Sequence, residues 1–182
     1  AEHLSLLAME CEGFLWEVEG LRLVGRAQFE ANLIDGAKVT WEQIVHRYPD
    51  DVEANTVLST VYQRQADQRR SEQALARIAK VPQLPPSQVA ELRSLAGRNL
   101  KEAWIDKWHD RDDRAGPPPG PWQHGEAQVR QMRAAALRSP LLQRAIDAYH
   151  EAFLADLNNA YAGLNALSLM VVQVELAEAQ PE

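Results

Sequence analysis

The chain has 182 residues, 46% of them apolar, with ten prolines, nine glycines and a single cysteine, enough for one globular domain whose core needs neither disulfide nor structural metal. Nineteen basic against 26 acidic side chains leave a formal net charge of −7, which argues against nucleic acid as a partner. Cys11 has no second cysteine to pair with, no apolar run reaches the roughly 18 residues of a membrane span, and Ala1-Glu2-His3 lacks the basic start of a secretory signal. The expectation is therefore a cytoplasmic chain with no membrane partner.

Nearly every stretch between breakers carries apolar residues at helical period, and strand alternation is hard to find. Residues 3–31 hold Leu4, Leu7, Phe14, Leu21, Val24 and Phe29, with an expected break near Gly13. Asn32-Leu33-Ile34-Asp35-Gly36 reads as a turn. A helix over 37–47 then places Ala37, Trp41 and Ile44 on one face; Pro49 closes it, and Asp50 or Asp51 is positioned to cap the next. That helix, 52–66, carries Ala54, Leu58, Val61 and Tyr62. After a polar turn at 67–70, residues 70–80 present Ala74, Leu75 and Ile78, and the prolines at 82, 85 and 86 end the segment. Ser87 is the expected cap of a helix over 87–107 with Leu92, Leu95, Ala96, Leu100, Ala103 and Trp104 inward. The run Gly116-Pro117-Pro118-Pro119-Gly120-Pro121 cannot continue a helix. Helices are predicted again over 123–137, over 139–155 with Pro140 at its first position, and over 160–176. The fold class is all-α.

A shift of about 34 residues lays helix on helix. Val24 falls on Leu58 and then Leu92, Gly25 on Ser59, Ala37 on Ser71, Trp41 on Leu75, and Ile44 on Ile78. A small residue where two helices cross lets their backbones approach, and a large apolar one fills the space between pairs, so such a unit stacks into a solenoid. The pattern resembles tetratricopeptide repeats (TPRs). Leu21, Val24, Gly25, Ala37, Trp41, Ile44 and Pro49 match the family in a first unit, with Gln28 departing at an aromatic position. Leu58, Ser59, Tyr62, Ser71, Leu75 and Ile78 match in a second, with Asn55 departing, and Ala145, Tyr149 and Ala152 resemble the second helix of a third. The resemblance implies antiparallel helix pairs stacked as a right-handed TPR-like superhelix, about three repeats in one domain over 1–182, with an irregular insert near 109–138. It also implies a protein or peptide partner on the concave face.

A narrower likeness runs from Tyr149-His150-Glu151-Ala152-Phe153 to Tyr161-Ala162-Gly163-Leu164-Asn165-Ala166, and includes Gly97-Arg98-Asn99-Leu100-Lys101-Glu102. These segments resemble the TRAF-binding repeat domain of stress-signalling MAP3 kinases and its bacterial relatives, departing at Ala162 and Leu164. A domain cut from a larger bacterial protein is the setting this implies.

The first helix of each pair faces the groove of such a stack, which makes Glu53, Thr56, Thr60 and Arg64 the second unit's groove residues and Arg64 a binding candidate. They lack the Lys/Asn set of the carboxylate-clamp members. Arg98 and Lys101 lie three apart on one helical face. With Asn165 they form a candidate polar site, the structural alternative being ion pairing to Glu102 or Asp106. Trp108 and Trp122 bracket the Pro-rich loop, as anchors or as a partner surface. His109, Asp110, Asp112 and Asp113 lack the glycine and closing glutamate of a calcium loop, so no metal is expected. Cys11 reads as a small buried hydrophobe. With no phosphate loop, zinc helix or serine elbow, the chain is expected to be neither an enzyme nor a cofactor carrier.

Two functions follow. One is an interaction or assembly module gripping a partner on its concave face. The other is a regulatory or sensor domain, fused to an enzyme, that takes a small ligand or an intramolecular partner; a closed pocket with converging Arg98, Lys101 and Asn165 would favour it, and an open channel long enough for a peptide the first. In addition, Leu167, Leu169, Met170, Val171 and Val172 give the last helix more apolar surface than one packed face needs, so either a further helix covers it or a homodimer forms through it.

Overall fold

The computed structural model describes residues 2–107 and 125–179. Nine helices and no strand are found among them: α1 (Glu2–Glu10), α2 (Glu17–Glu30), α3 (Ile34–Arg47), α4 (Val52–Arg64), α5 (Gln68–Ile78), α6 (Pro86–Ile105), α7 (Glu126–Leu137), α8 (Pro140–Ala155) and α9 (Ala160–Glu178). The all-α expectation is met. The chain packs as two compact units, Ala1–Leu84 and Pro85–Glu182.

In the first unit α2 pairs with α3 and α4 with α5, and α3 packs on α4. Each pair is built on the same arrangement. Gly25 of α2 faces the indole of Trp41 of α3 so closely that a Cβ there would lie 2.7 Å from Cε2. At the equivalent crossing of α4 and α5, Ser59 Oγ and Ser71 Oγ lie 3.0 Å apart and buried. Trp41, Ile44, Leu58 and Ile78 are fully buried, so the apolar period of the sequence is the period of the core. Gln28, the departure from the aromatic pattern, is buried as well, and its Oε1 accepts from Thr40 Oγ1 at 2.7 Å; the hydrogen bond removes most of the cost of placing an amide there.

The helix ends follow their capping residues. Asp51 accepts from the Ala54 amide at 2.8 Å to start α4, and Asp67 accepts from the Arg70 amide at 3.0 Å to start α5. Asp51 also pairs with Arg22, and Arg22 and Arg26 both reach Glu53, which ties α2 to α4. Two expectations are corrected. The turn after α2 is shorter than 32–36: Asn32 takes a left-handed φ of 57°, and α3 is already helical at Ile34, with Gly36 inside it. Ser87 does not cap α6; Pro85 precedes the helix and Pro86 opens it, because proline's fixed φ suits the first turn.

In the second unit α6 pairs with α8, while α9 packs on α8 and α7 packs on α9. The crossing of α6 and α8 repeats that of α2 and α3: a Cβ on Gly97 would lie 3.0 Å from the ring of Tyr149. The third repeat is thus the α6–α8 pair, with α7 and residues 108–124 lying between its two helices in sequence. Its register is set by Gly97, not by the Leu92 that a strict 34-residue shift selects; Leu92 is only half-buried. Asn159 caps α9 by accepting from the Ala162 amide at 3.0 Å. Gly163 sits against Phe153, and Ala162, Ala166 and Leu169 form the buried face of α9. At nineteen residues and a mean hydropathy of 1.3, α9 is long and apolar enough to cross a bilayer by length and composition. No continuous apolar run had indicated this, because Asn165, Ser168 and Gln173 interrupt it without charge.

Candidate functional site

The GRNLK stretch lies in mid-α6, where Gly97 is used up in the contact with Tyr149. Helical spacing turns Arg98 and Lys101, three residues on, to a shared face. Asn165 is one turn along α9 from Tyr161 and is fixed by donating its Nδ2 to the Tyr161 carbonyl at 2.9 Å. Its Oδ1 is thereby aimed outward, and it accepts from Lys101 Nζ at 2.8 Å across 64 residues of sequence. Two of the three residues predicted to form a polar site therefore meet directly.

Two tyrosines complete the cluster. Lys101 Nζ stands 5.8 Å from the centroid of the Tyr149 ring, a cation–π distance. The Tyr149 hydroxyl lies 3.4 Å from that of Tyr161, the rings edge to face at 5.9 Å. Burial, together with the Tyr161 hydroxyl, pushes the Tyr149 phenol well above its ordinary range, so it stays neutral. Arg98, half-buried beside them, donates from Nη2 to Asn99 Oδ1 at 3.3 Å. Burial is also the leading influence on its guanidinium, lowering its pKa from the usual value, yet an arginine stays charged at neutral pH. Chemically the arrangement is a lysine held by an amide oxygen and an aromatic face instead of a carboxylate, next to a partly desolvated guanidinium.

The remaining candidates fare differently. Arg64 donates to Asn32 Oδ1 at 3.2 Å and stacks over Phe29 at 4.8 Å. Glu53 is engaged by Arg22 and Arg26, whose hydrogen bonds hold its carboxyl below the usual carboxylate range. Of the groove positions predicted for the second unit, Glu53 and Arg64 thus each hold contacts with the preceding helix pair. Trp108 and Trp122 fall outside the described residues, as does the acidic run at 109–113. Among the described residues no group of three or more metal-ligating side chains occurs. Cys11 is buried, and burial with Glu17 and Glu10 pushes its thiol up, away from reactivity. Tyr161 was legible only through the narrower likeness; its signal was the four-residue step to Asn165. Nothing in the sequence marked the open groove of about 350 Å³ lined by Trp104, Ile105, Met132, Arg133, Ala136, Val172 and Leu176, which depends on where α7 lands.

Successive helix pairs that cross at a small residue, Gly25, Ser59 and Gly97, define a tetratricopeptide-type repeat domain. The family model Tetratricopeptide Repeats-Sensor (TPR-S) matches residues 33–170, most of the chain, and the chain belongs to that family. No curated protein matches it.

Proposed function

We propose that the chain is a non-catalytic recognition module that reads an anionic group, on a small ligand or at the end of a partner, through Lys101 and Arg98. The observation that carries this reading is the Lys101–Asn165 contact at 2.8 Å, in which the ammonium is positioned by a neutral amide and an aromatic ring. A cation oriented without a carboxylate keeps its charge available to an incoming anion, and partial burial strengthens that attraction relative to water. Arg98 adds a planar donor fork on the same helical face. This supports the sensor reading over a peptide laid along the first-unit groove, whose Arg64 and Glu53 are already engaged within the chain.

The test is thermal stabilisation by two probes, inorganic phosphate and a peptide with a free C-terminal carboxylate, on the parent chain and on Lys101→Met. Binding well above its dissociation constant stabilises by about 3 kcal/mol, which raises the melting temperature of a chain of this length by roughly 6–12 °C. At least one probe is expected to do so in the parent and to lose at least half the shift in Lys101→Met. No shift with either probe, or equal shifts in both proteins, refutes the reading.

A further inference from the structure

We propose that α9 forms an antiparallel two-fold pair with α9 of a second copy of this chain, an interface separate from the Lys101 site. One line of exposed residues runs the length of α9: Ala160, Leu164, Leu167, Val171, Val174 and Glu178. Their alternating steps of four and three are the seam spacing of a coiled coil. Leu164 is 65% exposed, Leu167 59%, Val171 50% and Val174 54%, so an apolar stripe faces solvent opposite the face that α9 buries on α8.

What selects a second copy as the occupant is that the stripe reads the same from both ends. Turned about an axis beside Leu169, Leu164 of one copy meets Val174 of the other and Leu167 meets Val171, twice over. A two-fold interface requires such self-complementarity. Charge agrees: α9 carries no ionisable carboxylate, lysine or arginine from Ala160 to Val174, so no like charges meet along the seam. Its two glutamates, Glu175 and Glu178, come to lie at the N-terminus of the opposing helix, where the helix dipole favours negative charge. The area sets the strength. At roughly 100 Å² apiece the four apolar residues supply about 400 Å² per copy, half of the roughly 800 Å² of a standard interface. Leu164 and Leu167 also line an open apolar groove of about 560 Å³ that extends the surface to His150, Phe153 and Met170. The pairing is accordingly a reversible one.

Sedimentation equilibrium over about 1–200 µM, spanning the range of a weak reversible dimer, tests the mass. The parent is expected to move from 20.4 kDa towards twice that value, and Leu167→Glu to weaken the dimer at least tenfold, about 1.4 kcal/mol. Since Leu167 is exposed, the variant should keep its helicity and melting temperature. Direction is tested by oxidative cross-linking in a Cys11→Ala background. Leu167→Cys mixed with Val171→Cys should link faster than either protein alone. A monomer at every concentration, a dimer indifferent to Leu167→Glu, Leu167→Cys linking best to itself, or a monomer that instead floats with phosphatidylcholine vesicles would each overturn the proposal.

Discussion

Replacing Gly25 by alanine puts a methyl group 2.7 Å from Cε2 and 2.8 Å from Nε1 of Trp41, where ordinary carbon contacts lie at about 3.5–4.0 Å. Trp41 is fully buried, so the ring has to move most of an ångström into close-packed neighbours. Overpacking of this kind costs about 1–3 kcal/mol. Alanine's better helix propensity returns about 0.8–1.0 kcal/mol, and the net expected loss is about 0–2 kcal/mol. The second arm of the experiment is Trp41→Phe, which removes the offending indole edge. The Nε1 of Trp41 is buried with no hydrogen-bond partner among the described residues, so losing it strands no acceptor. In Gly25→Ala/Trp41→Phe the new methyl enters the vacated space, and the double variant should lose less than the two single losses added, by about 0.5–2 kcal/mol. Urea unfolding followed by far-UV circular dichroism reads all four proteins. A Gly25→Ala variant more stable than the parent, or losses that simply add, would refute the close crossing on which the repeat assignment rests.

Other expectations follow from single positions. Leu58 and Leu142 are each fully buried, and either to alanine should cost about 2–5 kcal/mol in urea unfolding. Ala66 adopts a left-handed φ of 56° just after α4; Ala66→Gly should stabilise by up to about 1 kcal/mol, since relief of a 1–2 kcal/mol strain outweighs glycine's entropy, and a lower melting temperature would contradict this. Asn159→Ala removes the cap of α9 and should cost about 0.5–2 kcal/mol in the same assay. Glu53 is held below its ordinary carboxylate range first by the hydrogen bond from Arg26 and then by that from Arg22, with burial opposing both. A depressed folded-state value means this stabilisation is complete above the unfolded value and is lost as pH falls through the folded one. The melting temperature should therefore fall between about pH 5 and 3, and less steeply in Glu53→Gln; an equal slope in the two proteins would remove Glu53 from the explanation.

Sequence and structure agree where one face of a helix repeats without interruption. Trp41, Leu58, Leu75 and Ile78 follow from period alone, because the 34-residue shift lays one adjacent helix pair on the next. The third pair was harder to see. Between Gly97 and Tyr149 lie α7 and residues 108–124, so a fixed shift slides past Gly97 to Leu92, and only the packing restores the register. Of the capping expectations, the Asp50-Asp51 pair does supply the cap of α4, through Asp51, whereas Ser87 does not cap α6 because Pro86 has already opened the helix; the caps Asp67 and Asn159 stand in segments that read only as turns. At the candidate site the spacing of Arg98 and Lys101 was visible from helical geometry. Asn165 is grouped with them already in the sequence, through the narrower likeness, and the packing of α9 supplies the contact with Lys101; the groove beside Trp104 has no local signal at all. The contacts of Arg64 are equally hidden: its partners Asn32 and Phe29 belong to the preceding helix pair, and no local pattern encodes contacts between pairs.

The most direct test of the recognition role is an amide and side-chain NMR titration of the isotopically labelled chain with inorganic phosphate. If Lys101 and Arg98 read an anion, the shifts should concentrate on the Asn165 side-chain amide, on Gly97, Arg98 and Lys101, and on Tyr161. Shifts spread evenly over exposed lysines and arginines, or none at these residues at saturating phosphate, would contradict it.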